Sequence, residues 1–488
     1  MTEKANRLIG RLEEKKILNN LYKSENAEFL AIYGRRRVGK TFLVREFFKD
    51  KGIYFEITGS VNADTEEQLK NFHTEYRALF DNEEITKPPK NWGEAFKRLK
   101  TSVLNIKKPQ KIIIFLDELP WLASGKSDFL SALDYAWNRH FSLIPNLLLI
   151  VAGSAASWMI NNVINNTGGL YGRLSRHLRL LPFNLFETEQ YLFSKKIERL
   201  PRKQICEIYM IIGGVPKYLS YLEPGISTAQ NIHNLCFKPQ SPLLTEFYKL
   251  YHSLFKNAKT HLKIVRTLAN KKRGLNRSEL LKNTKLQNSG RTSEVLNELK
   301  ESGFIMTLPE TGKKMRNMRY YLSDEYSFFY LNWIEISKGS LLQGVEKDYW
   351  IKRQTSPAWR AWAAFAFENL CLKHNLQIKE ALQIGGVTTT SGHWTTSTNG
   401  KKQGEIDLVI DRADDCINLC EIKFSNKEFI VTKEYAKTLI RKKELFQKKT
   451  NTRKALFTTL ITPFGAIENE NYSHSVEKQL SLESLFLK

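Results

Sequence analysis

The chain has 488 residues, 42% of them hydrophobic and 26% charged, which excludes wholesale disorder and sets an expectation of roughly three domains. Lys and Arg number 75 against 51 Asp and Glu, a net charge of +24. That excess favours contact with polyanions, either nucleic acid or an anionic membrane surface, and says nothing about fold.

Residues 1 to about 235 alternate apolar runs with helical patterns. The runs at residues 29–33, 112–116 and 147–151 are continuous rather than alternating, as in a parallel sheet covered by helices on both faces, an α/β arrangement. Directly after the first run, Gly34-Arg35-Arg36-Arg37-Val38-Gly39-Lys40-Thr41 fits the phosphate-loop pattern G-x-x-x-x-G-K-[ST], and a helical pattern follows over residues 41–48. The glycines let backbone N–H groups close around a phosphate, and the helix N-terminus adds its positive end. Lys40 is expected to reach the β- and γ-phosphates of ATP, and Thr41 to ligate Mg²⁺. Gly125-Lys126-Ser127 looks similar, but Pro120 stands where the first glycine belongs and no strand precedes it, so it reads as a loop. The second run ends in Asp117-Glu118. Asp117 is expected to hold Mg²⁺ through water and Glu118 to polarise the attacking water. The longest apolar stretch, residues 147–160, is shorter than the roughly 20 residues a membrane span needs, and the N-terminus opens no apolar signal segment. The expectation is a cytoplasmic protein without a membrane span.

Tyr33 to Thr41 and Leu116-Asp117-Glu118 together resemble the archaeal-type AAA-like ATPases, relatives of the STAND signalling NTPases found in archaea and bacteria. The resemblance covers nearly the whole chain. It implies that Asn6-Arg7-Leu8-Ile9-Gly10-Arg11 lies beside the adenine. In Val151-Ala152-Gly153-Ser154 it makes Ser154 a polar sensor of the γ-phosphate. In Leu170-Tyr171-Gly172-Arg173-Leu174, ahead of a strand at 178–181, it makes Arg173 an arginine finger acting in trans within a homo-oligomer. Gly213-Gly214-Val215-Pro216 is similar to a lid motif whose proline, Pro216, packs near the base or ribose; a plain helix-end turn is the alternative reading.

Residues 260–320 hold 14 Lys and Arg against 5 Asp and Glu. Three helical patterns lead to a hairpin that starts at Gly303-Phe304-Ile305-Met306 and returns through Arg319-Tyr320-Tyr321-Leu322. This resembles a winged helix, with Arg291, Lys313, Lys314 and Arg316 as contacts to DNA. The alternative is a packing module of the ATPase lid with a solvated basic face.

In the last region, Gly404 to Ile410 and Ile417 to Phe424 read as neighbouring strands, and residues 388–404 as a loop or hairpin. Glu421 and Lys423 share a strand face, and a hairpin can bring Asp407 beside them. Upstream, an apolar helix carries Glu368. Carboxylates that hold Mg²⁺ or Mn²⁺, with a lysine that acts on water, suit phosphodiester cleavage. The set Glu368, Asp407, Glu421 and Lys423 resembles the PD-(D/E)xK nucleases, with Glu405-Ile406 where a proline often precedes the aspartate. Residues 433–454 carry 9 Lys and Arg against 2 Asp and Glu, a helical basic face suited to a duplex backbone. The five cysteines, Cys206, Cys236, Cys371, Cys416 and Cys420, offer no second ligand pair and read as buried thiols.

The expected architecture is an α/β P-loop ATPase domain with helical lid (1–235), a winged-helix-like domain (240–335) and an α+β nuclease-like domain (355–488). The expected activity is Mg-ATP hydrolysis coupled to DNA binding and metal-dependent cleavage. The alternatives are a STAND-like switch acting on a protein partner, and a DNA-binding ATPase whose nuclease fold is inactive.

Overall fold

The computed structural model describes residues 8–80, 87–106, 110–123, 127–165, 172–198, 200–255, 257–312, 317–343, 348–398 and 401–488. The chain divides into two units, Met1–Pro182 and Phe183–Lys488.

In the first unit the apolar runs become β1 (Glu28–Tyr33), β3 (Ile112–Asp117) and β4 (Leu147–Gly153), joined by β2 (Ile53–Thr58) and β5 (Arg176–Arg179). All pairings are parallel, in the order β2-β3-β4-β1-β5. Every residue of β3 and β4 is buried because helices cover both faces. Phe29, Ala31, Ile114, Leu116, Leu149 and Val151 enter one apolar core, while Leu30, Ile32, Ile113, Phe115, Leu148 and Ile150 enter the other. This order brings the carboxyl ends of β3, β4 and β1 side by side, where open α/β sheets hold ligands. The last strand lies two residues earlier than the expected 178–181. Ser175 fixes its start, because its backbone amide donates to the Phe29 carbonyl at 2.8 Å and its hydroxyl accepts from the Phe29 amide at 3.1 Å.

In the second unit, helices Leu185–Ser194, Arg202–Ile212, Thr228–Cys236 and Glu246–Leu254 come first. Helices Ala258–Lys271, Arg277–Thr284 and Gly290–Glu301 follow, with an antiparallel sheet of β6 (Leu275–Asn276), β7 (Ile305–Pro309) and β8 (Met318–Leu322) in the order β6-β8-β7. Asn276 and Glu279 form a reciprocal capping box that starts the second of these helices, and the Ser289 side chain caps the third. The expected three helices and hairpin are therefore present. Lys313, Lys314 and Arg316, expected as DNA contacts, lie outside the described residues, as do Lys126, Leu170 and Tyr171.

The last part of this unit is helix Pro357–Lys373, then β9 (Thr389–Thr398), β10 (Lys401–Arg412), β11 (Cys416–Ile422), β12 (Phe429–Ile430), helix Lys433–Thr450, β13 (Ala455–Ile461), β14 (Ala466–Ile467) and β15 (Lys478–Leu480). The main sheet runs β15-β13-β11-β10-β9. Strands β9, β10 and β11 are antiparallel, and β11, β13 and β15 are parallel. A parallel pair needs a long crossover, and helix Lys433–Thr450 supplies the one between β11 and β13. Residues 389–398 and 401–412 form the hairpin that the sequence left open between loop and hairpin. One apolar core runs from Phe183 to Phe486, so the basic segment shares its interior with its neighbours. Four cysteines are buried as expected, and Cys416 is only half-buried. Among the described residues no helix is long and apolar enough to cross a membrane.

Candidate functional site

The phosphate loop leaves β1 through Gly34, at φ 154, where a Cβ would stand 2.2 Å from the Leu180 carbonyl oxygen; only glycine fits. Arg37 and Gly39 also take positive φ, 72 and 91, which closes the loop ahead of helix Lys40–Phe48. Arg35 and Val38 are buried, while Arg36 and Arg37 are half-buried. Lys40 is buried and donates to the Gly34 carbonyl at 2.9 Å, the Arg35 carbonyl at 3.2 Å and Ser154 Oγ at 2.8 Å. Burial lowers its amine pKa, opposed by the nearby charges of Glu118 and Asp117.

Thr41 Oγ1 donates to Asp117 Oδ2 at 2.5 Å. Hydroxyl and carboxylate thus converge on one spot, and this pair fits a hard cation such as Mg²⁺. Burial raises the Asp117 carboxyl above its usual range. Glu118 stands one residue past β3 at φ 47, a left-handed conformation that is costly for a residue with a Cβ. The Ser154 hydroxyl at the end of β4 donates to Glu118 Oε1 at 2.5 Å, and the Ser154 amide to Oε2 at 3.3 Å. Lys40, Ser154 and Glu118 therefore form one chain of hydrogen bonds across three sheet positions.

Arg11 ends the segment that the resemblance sets beside the adenine. It is buried, occupies the N-cap position of helix Leu12–Lys23 in a left-handed conformation, and donates from Nη2 to the Val38 carbonyl at 3.1 Å. Arg173 is exposed in the turn before β5. In the second unit, Pro216 opens the short helix Pro216–Leu219. Its glycines have packing reasons: a Cβ at Gly214 would lie 1.9 Å from the Phe183 carbonyl oxygen, and one at Gly213, at φ 64, would lie 2.6 Å from the Glu325 carboxylate.

A second constellation gathers on β10 and β11. Their antiparallel register sets Leu408 against Cys420, which brings Asp407 and Glu421 together. Asp407 Oδ2 accepts from the Ile422 amide at 2.9 Å. Glu421 is buried, with Lys423 Nζ 3.8 Å from Oε2 on the shared face. Burial and the Asp407 charge push the Glu421 carboxyl up to about 7, against the pull of Lys442 and Lys423. Glu368 is raised well above the usual range by burial, then by Asp407 and Glu405. Of the four residues singled out in the sequence, Glu368 and Glu421 each feel both Asp407 and Lys423.

Four others join them. Lys442 Nζ donates to both Glu421 oxygens at 2.6 Å. Glu405 lies 3.3 Å from the Arg273 guanidinium and 3.6 Å from Nε2 of the buried His393. In the sequence Lys442 is one cation in a basic run, and Glu405 only stands where a proline was awaited. Arg273 lies some 130 residues away along the chain, so no local pattern links it to them.

The structure does not gather the expected metal-holding set of Glu368, Asp407 and Glu421 around one point. Among the described residues no three His, Cys, Asp or Glu side chains stand close enough to share one. An ammonium holds both Glu421 oxygens, and a backbone amide holds Asp407. The basic face of residues 433–454 is also smaller than its count of charges, because Lys442, Lys443 and Lys454 pair with Glu421, Glu477 and Asp411.

Residues 8–222 match a family described as an ATPase domain predominantly from Archaea, and residues 330–438 a family of archaeal and bacterial proteins of unknown function. The uncharacterized protein MJECL04 of Methanocaldococcus jannaschii is 24% identical over 447 residues, 90% of this chain and 92% of that relative. The uncharacterized ATP-binding protein MJ0423 of the same organism is 40% identical over 45 residues, 9% of this chain and 76% of that relative. Among solved structures, the Walker-type ATPase PABY2304 of Pyrococcus abyssi is 20% identical with a TM-score of 0.47, covering 66% of this chain and 96% of that one. The ORC2 protein of Aeropyrum pernix, solved as ADPNP–ADP complexes, is 15% identical with a TM-score of 0.43, covering 70% and 98%. Family match, phosphate loop and acidic strand end agree: residues 8–222 are similar to an ATP-binding ATPase domain of the P-loop type.

Proposed function

We propose that the protein hydrolyses Mg-ATP at the phosphate loop and binds DNA through its basic second unit, with Asp407, Glu421 and Lys423 forming a nuclease-like site. The observation that carries the ATPase reading is the bonded chain Lys40–Ser154–Glu118 beside the Thr41–Asp117 pair. Lys40 and the loop amides bind the polyphosphate, Thr41 and Asp117 hold Mg²⁺, Ser154 senses the γ-phosphate, and Glu118 takes up the proton of the attacking water. Bound Mg²⁺ supplies positive charge to the phosphate oxygens. Arg173 reaches the γ-phosphate of a neighbouring copy in a homo-oligomer.

The DNA reading rests on charge. In the winged-helix-like segment Arg291 is exposed, and so are Lys433, Lys437, Arg441, Lys448, Lys449 and Arg453 on or just past the crossover helix. Phosphate contacts of this kind make log affinity fall with log salt by about 0.9 per neutralised phosphate on duplex DNA. A steep slope in fluorescence anisotropy titrations is the expected result, and a flat one would favour a protein partner.

A second reading is favoured by Lys442: the cluster binds without cutting, because a lysine already neutralises Glu421. Incubation with single-stranded, duplex and branched DNA, with Mg²⁺ or Mn²⁺ and with or without ATP, separates the two. Cleavage that disappears in Asp407→Ala and Glu421→Ala supports the nuclease. No cleavage of any form by the parent supports the non-cutting reading.

A further inference from the structure

We infer that Arg273, contributed by the basic segment ahead of β6, is a phosphate-binding residue of the cluster on β10 and β11, so that two segments of the second unit grip one DNA strand together. The inference rests on the DNA-binding reading above.

The loop that carries Arg273 is fixed in place. Lys272 and Gly274 both take positive φ, 51 and 67. A Cβ at Gly274 would lie 2.8 Å from the Tyr321 ring and 2.9 Å from the Tyr320 carbonyl oxygen, so only glycine lets the loop pass this close to β8. From β8, Arg319 Nη1 donates to the Gly274 carbonyl at 3.0 Å and the Arg273 carbonyl at 3.4 Å, while Nη2 meets Glu310 at 3.2 Å. A backbone held this way presents its side chain with little ordering left to do on binding.

The charges around it are layered. Arg273 is 55% exposed and Lys423 35%, while Glu405 is 17% exposed and Glu421 3%. Arg273 lies 5.8 Å, and Lys272 Nζ 5.3 Å, from the centre of the Phe365 ring. Glu368, one turn further along the same helix face, feels both Arg273 and Lys423. An incoming anion meets the cations first and the carboxylates behind them. Arg273 is tied to the cluster by one half-exposed contact to Glu405 at 3.3 Å, an interaction that contributes little in water. A phosphodiester offers the planar guanidinium two acceptor oxygens and displaces that contact.

The test uses the full chain in EDTA, with labelled single-stranded and duplex DNA followed by anisotropy across a KCl series. Arg273→Gln is expected to weaken binding about fivefold for all sequences and to lower the salt slope by about one, while Arg273→Lys retains the slope. Glu405→Gln frees the guanidinium, so it should tighten binding in the parent and do nothing in the Arg273→Gln background. Thermal melting of each variant shows that the fold persists. Parental affinity and slope in Arg273→Gln, with Glu405→Gln acting alike in both backgrounds, would overturn the inference and leave the DNA reading standing. Absence of salt-dependent DNA binding by the parent overturns the DNA reading, and the inference with it.

Discussion

The Ser154 hydroxyl donates to Glu118 Oε1 at 2.5 Å while accepting from Lys40 Nζ at 2.8 Å. Two groups suited to a γ-phosphate are thus tied to the carboxylate suited to polarising water. On the proposed ATPase reading, a phosphate that engages Lys40 and Ser154 would compete with this chain of bonds and free Glu118 to face the water.

Glu118→Gln therefore separates binding from turnover. The amide still fits the left-handed turn and can still accept from Ser154, but it takes no proton. Phosphate release is expected to drop about 10²- to 10⁴-fold, with ATP affinity within a few-fold of the parent by calorimetry. Hydrolysis at the parental rate would move the base to another residue.

Lys40→Ala removes the one buried ammonium of the loop. Its loss leaves the Gly34 and Arg35 carbonyls without that donor, yet also removes the cost of burying a charge. The two effects oppose each other, so the melting temperature is expected to move little. ATP binding is expected to weaken by at least about thirtyfold, because the polyphosphate loses a charged donor. Unchanged affinity would refute the assignment.

The first unit was largely legible from the sequence. The runs at 29–33, 112–116 and 147–151 are continuous because both sheet faces are buried, and Gly39 answers to the local turn of the loop, although the crowding of Gly34 by the Leu180 carbonyl is a tertiary contact. The second site was legible only within its strands, where alternation pairs Glu421 with Lys423 and a hairpin supplies Asp407. Lys442 reaches Glu421 from a crossover helix and Arg273 reaches Glu405 from another segment, so tertiary packing decides both contacts. The same packing hides the Lys442–Glu421 pair, since residue identity alone does not show which cation neutralises which acid.

Arg173 is exposed, as a residue offered to a neighbouring subunit must be. If it acts in trans, Arg173→Ala and Lys40→Ala are each inactive alone but complementary. Mixed assemblies then contain sites with an intact loop and an intact finger. Recovery of ATPase activity on mixing, with co-assembly verified by light scattering, is the expected outcome. No recovery in assemblies that do form would place the arginine's action within its own subunit or remove it from the site.

Lys442→Met tests the buried pair. Glu421 would keep its burial and the neighbouring Asp407 but lose its closest cation, and breaking such a pair from one side costs about 3–5 kcal/mol. Urea unfolding at pH 8 is expected to show that loss for Lys442→Met and much less for Lys442→Met combined with Glu421→Gln, which leaves no unpaired charge. Equal losses in both would mean that packing of the lysine stem, not the ion pair, stabilises this part of the sheet.

His374 gives the second unit a built-in response to acid. The Leu185 amide donates to its Nε2 at 3.2 Å, and Nδ1–H donates to the Leu370 carbonyl at 2.8 Å, so both nitrogens are satisfied by the neutral ring. Burial lowers its pKa to about 4, opposed by the bond to the Leu370 carbonyl and helped by the Lys373 charge. In the unfolded chain the ring titrates at its ordinary value near 6.5, so between these two values the unfolded state binds the extra proton. The stability His374 contributes is present above pH 6.5 and is lost as pH falls toward 4, by about 3 kcal/mol in all. Urea unfolding of the parent and of His374→Gln across pH 4–8 reads this directly. The parent should weaken on acidification by more than the variant, whose amide carries no such titration. Parallel curves for the two would show that the ring is already charged, or already solvated, in the folded protein.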